Sequence, residues 1–116
     1  MKLTFNDVAQ EKIAKHLHDS TKIVLDFDDG VGPFSDAATC TLDLAFHLVF
    51  AREDQLTADF DETIDSNLGA VYVKGYSMQQ MDENMTLSVD KYLNISLKGD
   101  GGALDDHVIL MDVQDK

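Results

Sequence analysis

Cysteine occurs once in these 116 residues, proline once and tryptophan not at all, and 9 lysines and arginines face 22 aspartates and glutamates. A single thiol excludes an internal disulfide and any paired Cys-x-x-Cys site. The shortage of basic residues leaves a formal net charge of −13. Such a surface repels phosphate backbones and anionic lipids, which argues against nucleic-acid and membrane binding. It would attract cations or a basic partner protein, although acidity also simply keeps a small protein soluble. Long apolar runs are missing too: the longest, Leu44 to Ala51, is interrupted by His47 and is too short to cross a bilayer. Met1 to Phe5 carries one lysine and leads into no long apolar stretch, unlike a secretory signal, so a soluble cytoplasmic protein is the expectation. The length fits a single domain over residues 1–116 with a core of its own.

Local patterning fills in the elements. Lys2 to Phe5 alternates as a short strand, and Asn6 can cap a helix running to His18, with Asp7 in its first turn and Val8, Ala9, Ile13, Ala14 and Leu17 at helical spacing. Lys22 to Asp28 alternates again, placing Ile23, Leu25 and Phe27 on one face. Asp29 to Thr39 is a loop by its glycines, its proline and its small polar residues, and Cys40 to Ala51 follows as a long strand. The acidic stretch Glu53 to Asn67 reads as a solvated connection with a short strand near Phe60. Strands are expected around Leu68 to Lys74, Met85 to Val89, Leu93 to Leu97 and Val108 to Val113, with a helical turn at Met78 to Met81 and a glycine-rich turn from Lys98 to Gly102. The sum is an α+β domain, one long amino-terminal helix on a core of about seven short strands.

The chemistry centres on Cys40. Cys40, Leu42, Leu44, Phe46, Leu48 and Phe50 share one face of their strand, and Thr41, Asp43, Ala45, His47 and Val49 share the other, a mixture expected of a partly exposed surface. Cys40 is then either a packed thiol or a reactive, metal-binding one. Gly30, Gly32, Pro33 and Ser35 form a candidate binding loop, because paired glycines allow successive amides to make an anion-binding nest; the alternative is a plain connection. Asp26 and Asp28 share a strand face where two carboxylates can hold a hard cation, with a solvated face as the alternative. The Asp26-to-Gly30 run does not match a calcium loop, since Leu25 and Phe27 would occupy ligand positions. His16 and His18 are about 200° apart on a helix and cannot chelate together. His47 reads as surface, and His107 follows Asp105 and Asp106 near the glycine-rich turn. HExxH, GxSxG and phosphate-loop patterns are all missing, so a non-enzymatic protein is expected.

The order of parts, from the first strand and helix through Ile23 to Ser35 and Cys40 to Phe50, and more loosely through Gly69 to Val73 and Met81 to Leu97, resembles the HesB-like iron–sulfur cluster biosynthesis family, relatives of the A-type carriers. The resemblance implies a β-rich α+β fold, a role in assembling or delivering clusters, and partners among iron–sulfur assembly or recipient proteins. The carriers hold their cluster with three cysteines, one after the second strand and a Cys-x-Cys pair near the carboxyl terminus. Here Cys40 corresponds only approximately to the first, and Gly99 to His107 contains glycines, aspartates and one histidine where the pair would stand. A cluster takes four ligands, mostly thiolate. Iron or a cluster would therefore be shared across a homodimer, with Cys40 and His107 as metal ligands and Asp100, Asp105 or Asp106 as poor substitutes; no cofactor at all is the equal alternative. The expected function is an accessory, scaffold or carrier with weak or lost cluster binding, and the alternative is a cluster-free protein- or small-ligand-binding module on the same fold.

Overall fold

The structure, a computed structural model, describes residues 1–28, 33 and 45–115. Strand β1 (Lys2–Phe5) runs into helix α1 (Asp7–Ile13), whose start is fixed by Asn6: its Oδ1 accepts the Ala9 backbone N–H at 2.8 Å. The helix is shorter than its apolar spacing predicts. Only Ala9 and Ile13 are buried, Val8 is exposed, and the chain tightens into a single 3-10 turn at Ala14–His16. Without a long apolar stripe to bury, little favours further helical turns.

Eight more strands follow: β2 (Lys22–Phe27), β3 (Phe46–Ala51), β4 (Glu62–Ser66), β5 (Val71–Val73), β6 (Asn84–Val89), β7 (Ile95–Gly99), β8 (Gly102–Asp105) and β9 (Ile109–Asp112). They form one curled sheet in the order β8-β7-β6-β1-β4-β5-β2-β3-β9, nine strands among the described residues rather than about seven. The short strand expected near Phe60 lies slightly later, as β4, and β8, on the far side of the glycine-rich turn, is additional. Residues Gly75–Gln80 form the expected helical turn, as 3-10 helix. Of the strand expected over 40–51, Phe46–Ala51 is present, with Phe46, Leu48 and Phe50 of the assigned face in the core, and Cys40, Leu42 and Leu44 lie outside the described residues.

The parallel β1–β4 pair, with Lys2 opposite Asp65 and Leu3 opposite Ser66, joins the two halves of the sheet. The Asn67 side chain secures the join, its Oδ1 accepting from the Phe5 N–H at 2.9 Å and its Nδ2 donating to the Phe5 carbonyl at 3.0 Å. Curling brings the chain before β9 back to β7, where the Val108 N–H donates to the Ile95 carbonyl at 2.9 Å.

The concave side encloses the main core, with Leu3, Phe5, Ile13, Leu25, Phe46, Leu48, Phe50, Leu87 and Leu97 all buried. Behind β2 and β3 a smaller cluster forms from Val24, Val49, Ala51, Phe60 and Val113. Its cover is the segment after β3. The Arg52 guanidinium donates to the Gln114 carbonyl, Gln55 Nε2 donates to the Val113 carbonyl at 2.6 Å, and Leu56 and Phe60 are laid against the sheet. That second layer accounts for the burial of every residue of β3, whose outer face the alternation marks as partly exposed.

Candidate functional site

Register across three strands assembles a polar row within this second layer. Asp26 of β2 stands directly opposite His47 of β3. On its other side, the parallel pairing of Ile23 with Val71 and Val24 with Tyr72 continues to put Lys74, just beyond β5, next to Asp26. Alternation in β2 turns Ile23, Leu25 and Phe27 to the core and sends Asp26 to the opposite face with Val24.

Asp26 and Lys74 are both fully buried. Lys74 Nζ lies 3.0 Å from Asp26 Oδ1, donates to the Phe27 carbonyl at 3.1 Å and stands 5.9 Å above the Phe60 ring. Neither oxygen of Asp26 makes an aligned hydrogen bond among the described residues, so Coulomb attraction to the ammonium holds the carboxylate in place. Burial pushes the Asp26 carboxyl above its ordinary value of 3.8, against the pull of Lys74 and His47. His47 is buried too, its Nε2 3.5 Å from Asp28 Oδ2. The backbone after Lys74 is pinned: the Ser77 hydroxyl donates to the Lys74 carbonyl at 2.6 Å, and Asp61 Oδ1 accepts the Gly75 N–H at 2.8 Å.

These positions correct two sequence-based expectations. Asp26 and Asp28 are not on a solvated face, nor do they form an open cation pair, since an ammonium already occupies the cation's place beside Asp26. His47 is not surface. Lys74, the largest surprise, read only as the last residue of a strand candidate. A signal for all three was present: Ile23 to Phe27 and Phe46 to Ala51 are apolar on both faces, the mark of a strand covered on both sides, and a charge within such a strand needs a buried partner.

The row lies at the root of the segment holding the sequence-predicted loop and thiol. The Asp28 N–H donates to the Ala45 carbonyl at 2.9 Å, the last pairing between β2 and β3 among the described residues. Of the candidate residues between, Pro33 is in a turn and exposed, whereas Gly30, Gly32, Ser35 and Cys40 lie outside the described residues. His107 is exposed between β8 and β9, and the nearby Asp90 carboxyl is held below its ordinary value chiefly by the hydrogen bond from the Asn94 N–H.

Two of the three carboxylates proposed as substitute ligands, Asp100 and Asp105, already have structural work. Asp105 Oδ2 accepts the Phe46 N–H at 2.9 Å and its Oδ1 the His107 N–H at 2.8 Å. Asp100 Oδ2 accepts the Asn84 N–H at 3.1 Å. Asp82 Oδ2 accepts the Gly101 N–H at 3.2 Å and fills the place a Cβ on Gly99 would need. Among the described residues, no three His, Cys, Asp or Glu side chains converge on a point where a metal ion would sit.

One short helix on a curled nine-stranded sheet, with a buried ionic row at the root of one hairpin, defines the class of protein. The profile of the iron–sulphur cluster biosynthesis family matches residues 1–112, and the chain belongs to that family. A crystal structure from Lactobacillus salivarius, described as a candidate Fe–S biosynthesis protein with a novel fold, is 35% identical over 98% of this chain and 99% of that one, with a TM-score of 0.86. A second, from Lactobacillus acidophilus and described as a candidate Fe–S biosynthesis protein, has a TM-score of 0.75 over 97% of this chain and 90% of that one, and at 19% identity it supports the fold alone. No curated protein matches the chain. A cluster as cargo calls for a thiolate-rich ligand set, and a chain with one cysteine, Cys40, falls short of it; near His107 the Asp100 and Asp105 carboxylates accept backbone N–H groups.

Proposed function

We propose that this protein serves iron–sulfur cluster biosynthesis as a non-enzymatic cytoplasmic accessory, a scaffold or carrier-like protein whose own grip on a cluster is weak or lost. The observation behind the reading is the use of residues 99–107. In this stretch, which holds no thiol, the Asp100 and Asp105 carboxylates accept backbone N–H groups and so stabilise the hairpin rather than await a metal. One cysteine per chain supplies at most two thiolates to a symmetric pair.

Anaerobic reconstitution with ferrous iron and sulfide tests this, followed by desalting, visible absorption and iron quantitation on the native chain and on Cys40→Ser. The expected result is substoichiometric iron, with any residual chromophore lost in Cys40→Ser. A stoichiometric chromophore that survives desalting in the native chain would establish a true carrier and overturn the reading.

A further inference from the structure

The start of β2 and the turn between β4 and β5 border a surface pocket of about 320 Å³, a size that small-ligand sites occupy. Its walls are apolar. Leu17 and Leu68 are half-buried and packed on the main core, Ile23 is buried, and the Tyr72 ring rests on the outer cluster. Parallel pairing of β2 with β5 places that ring, since Ile23 stands opposite Val71 and Val24 opposite Tyr72. Both rims are pinned by hydrogen bonds. On one side Thr21 Oγ1 accepts the His18 N–H at 2.8 Å and lies 2.6 Å from Gln114 Oε1. On the other the Ser66 hydroxyl accepts the Leu68 N–H at 3.0 Å, and Gly69 completes the turn at a φ of 102°, where a side chain would be strained. A hollow with fixed rims asks little ordering of itself when a ligand enters.

The polar side chains of this pocket have no work inside the protein. Lys22 Nζ, the His18 ring and the Tyr72 hydroxyl make no hydrogen bond or ion pair among the described residues, and no carboxylate lines the pocket. Lys22 also borders a wider groove, but there Arg52 is matched by Asp54 at 3.0 Å and Glu53 stands beside it. The smaller pocket is therefore the one whose lining carries unbalanced positive charge. The net charge of −13 repels anions from afar, yet salt at physiological strength confines each such field to about 8 Å, so the lining decides what binds. An ammonium and an imidazole, which donates a hydrogen bond in either protonation state, suit an anionic head. The hydrocarbon walls and the Tyr72 ring suit an apolar body.

We propose that this pocket binds a small organic anion, a carboxylate or phosphate monoester on an apolar body the size of one aromatic ring, with Lys22 and His18 at the head and Leu17, Leu68 and Tyr72 around the body. The proposal does not rest on the cluster reading. Its test contains no iron or sulfide, so its failure and the failure of reconstitution are told apart.

Phenyl phosphate and benzoate are titrated separately into the isotopically labelled protein and followed by amide chemical shifts. Benzyl alcohol supplies the body without the charge, and inorganic phosphate the charge without the body. Saturable shifts centred on residues 17–23 and 68–72 are expected from one or both organic anions, with both controls weaker on the order of tenfold. The tighter of the two anions assigns the head as phosphate or carboxylate. Lys22→Gln should weaken binding on the order of tenfold by removing a charge-assisted hydrogen bond, and His18→Gln should weaken it less. Neither side chain has a partner to lose, so both variants should melt with the native protein, which separates lost binding from lost folding. No saturable shift from either anion, shifts centred elsewhere, a control that binds as tightly as the anions, or an affinity untouched by Lys22→Gln would overturn the proposal.

Discussion

Strands β2 and β3 present two buried faces of opposite construction. The inner face is hydrocarbon throughout, Ile23 and Leu25 against Phe46, Leu48 and Phe50, and belongs to the main core. The outer face begins in the same way with Val24, Val49 and Ala51, then changes within one residue pair to Asp26 and His47, with Lys74 alongside. Hydrocarbon faces lose stability in proportion to the volume removed, because packing is non-directional. An ionic face behaves otherwise: losing one charge strands its partner in a medium of low dielectric, while losing both together removes the desolvation cost as well.

The sharpest way to break this contrast is to neutralise one member of the pair. Lys74→Met takes the ammonium away from the fully buried Asp26 carboxylate 3.0 Å from it and should lower unfolding free energy by about 3–5 kcal/mol in chemical denaturation. Asp26→Leu with Lys74→Met should instead lie close to the native protein or above it. A double variant as damaged as the single one would mean that the charges do more than neutralise each other. The pH profile supplies a further check. With its carboxyl raised above 3.8, Asp26 takes up a proton more readily in the folded state, so its contribution to stability falls as pH climbs from 3.8 through the raised value. That decline should be missing from the double variant.

A smaller effect is expected where the outer layer is plain hydrocarbon. Phe60→Leu thins the cover over Val24 and Val49 and withdraws the ring beneath the Lys74 ammonium, and should cost about 1–2 kcal/mol by thermal or chemical unfolding. A loss as large as that of Lys74→Met would show that the lid and the ion pair stand or fall together.

The smallest effect belongs to the exposed edge. Asp112 Oδ2 lies 2.7 Å from His16 Nδ1, tying the 3-10 turn after α1 to β9, while the His16 ring stacks on Phe50 with centroids 5.0 Å apart. Burial alone would raise the Asp112 carboxyl, but bonds from His16 and from the backbone and side chain of Gln114 outweigh it and keep it below 3.8. Its stabilisation is therefore complete above pH 3.8 and lost as pH falls through the depressed value. Asp112→Asn should cost under about 1 kcal/mol at neutral pH, and the difference from the native protein should vanish at strongly acid pH.

Much of this architecture was legible in the residues, and the misses have identifiable causes. Alternation located β1, β2, β6, β7 and β9 to within a residue or two, and Asn6 marked the helix start, because these are local properties of the backbone. The length of α1 was overestimated because Val8 fits the helical spacing yet finds nothing to pack against. Leu93 was assigned to a strand face with Ile95 and Leu97, whereas hydrogen bonds from Asp90 turn the chain before β7 begins. The candidate loop rests on residues almost wholly outside those described; periodicity reads Asp26 and His47 as separate positions on polar strand faces, and Lys74 only as the end of a strand.

By itself the sequence determined the family, the acidity, the single thiol and most strands, since composition and two-residue periodicity do not depend on what lies across the sheet. Only the tertiary structure decided that Asp26, His47 and Lys74 meet in a dry layer. Their encounter depends on parallel pairing of β2 with β5 and on the cover laid down by Arg52 to Phe60, pairings distant along the chain that local periodicity does not encode.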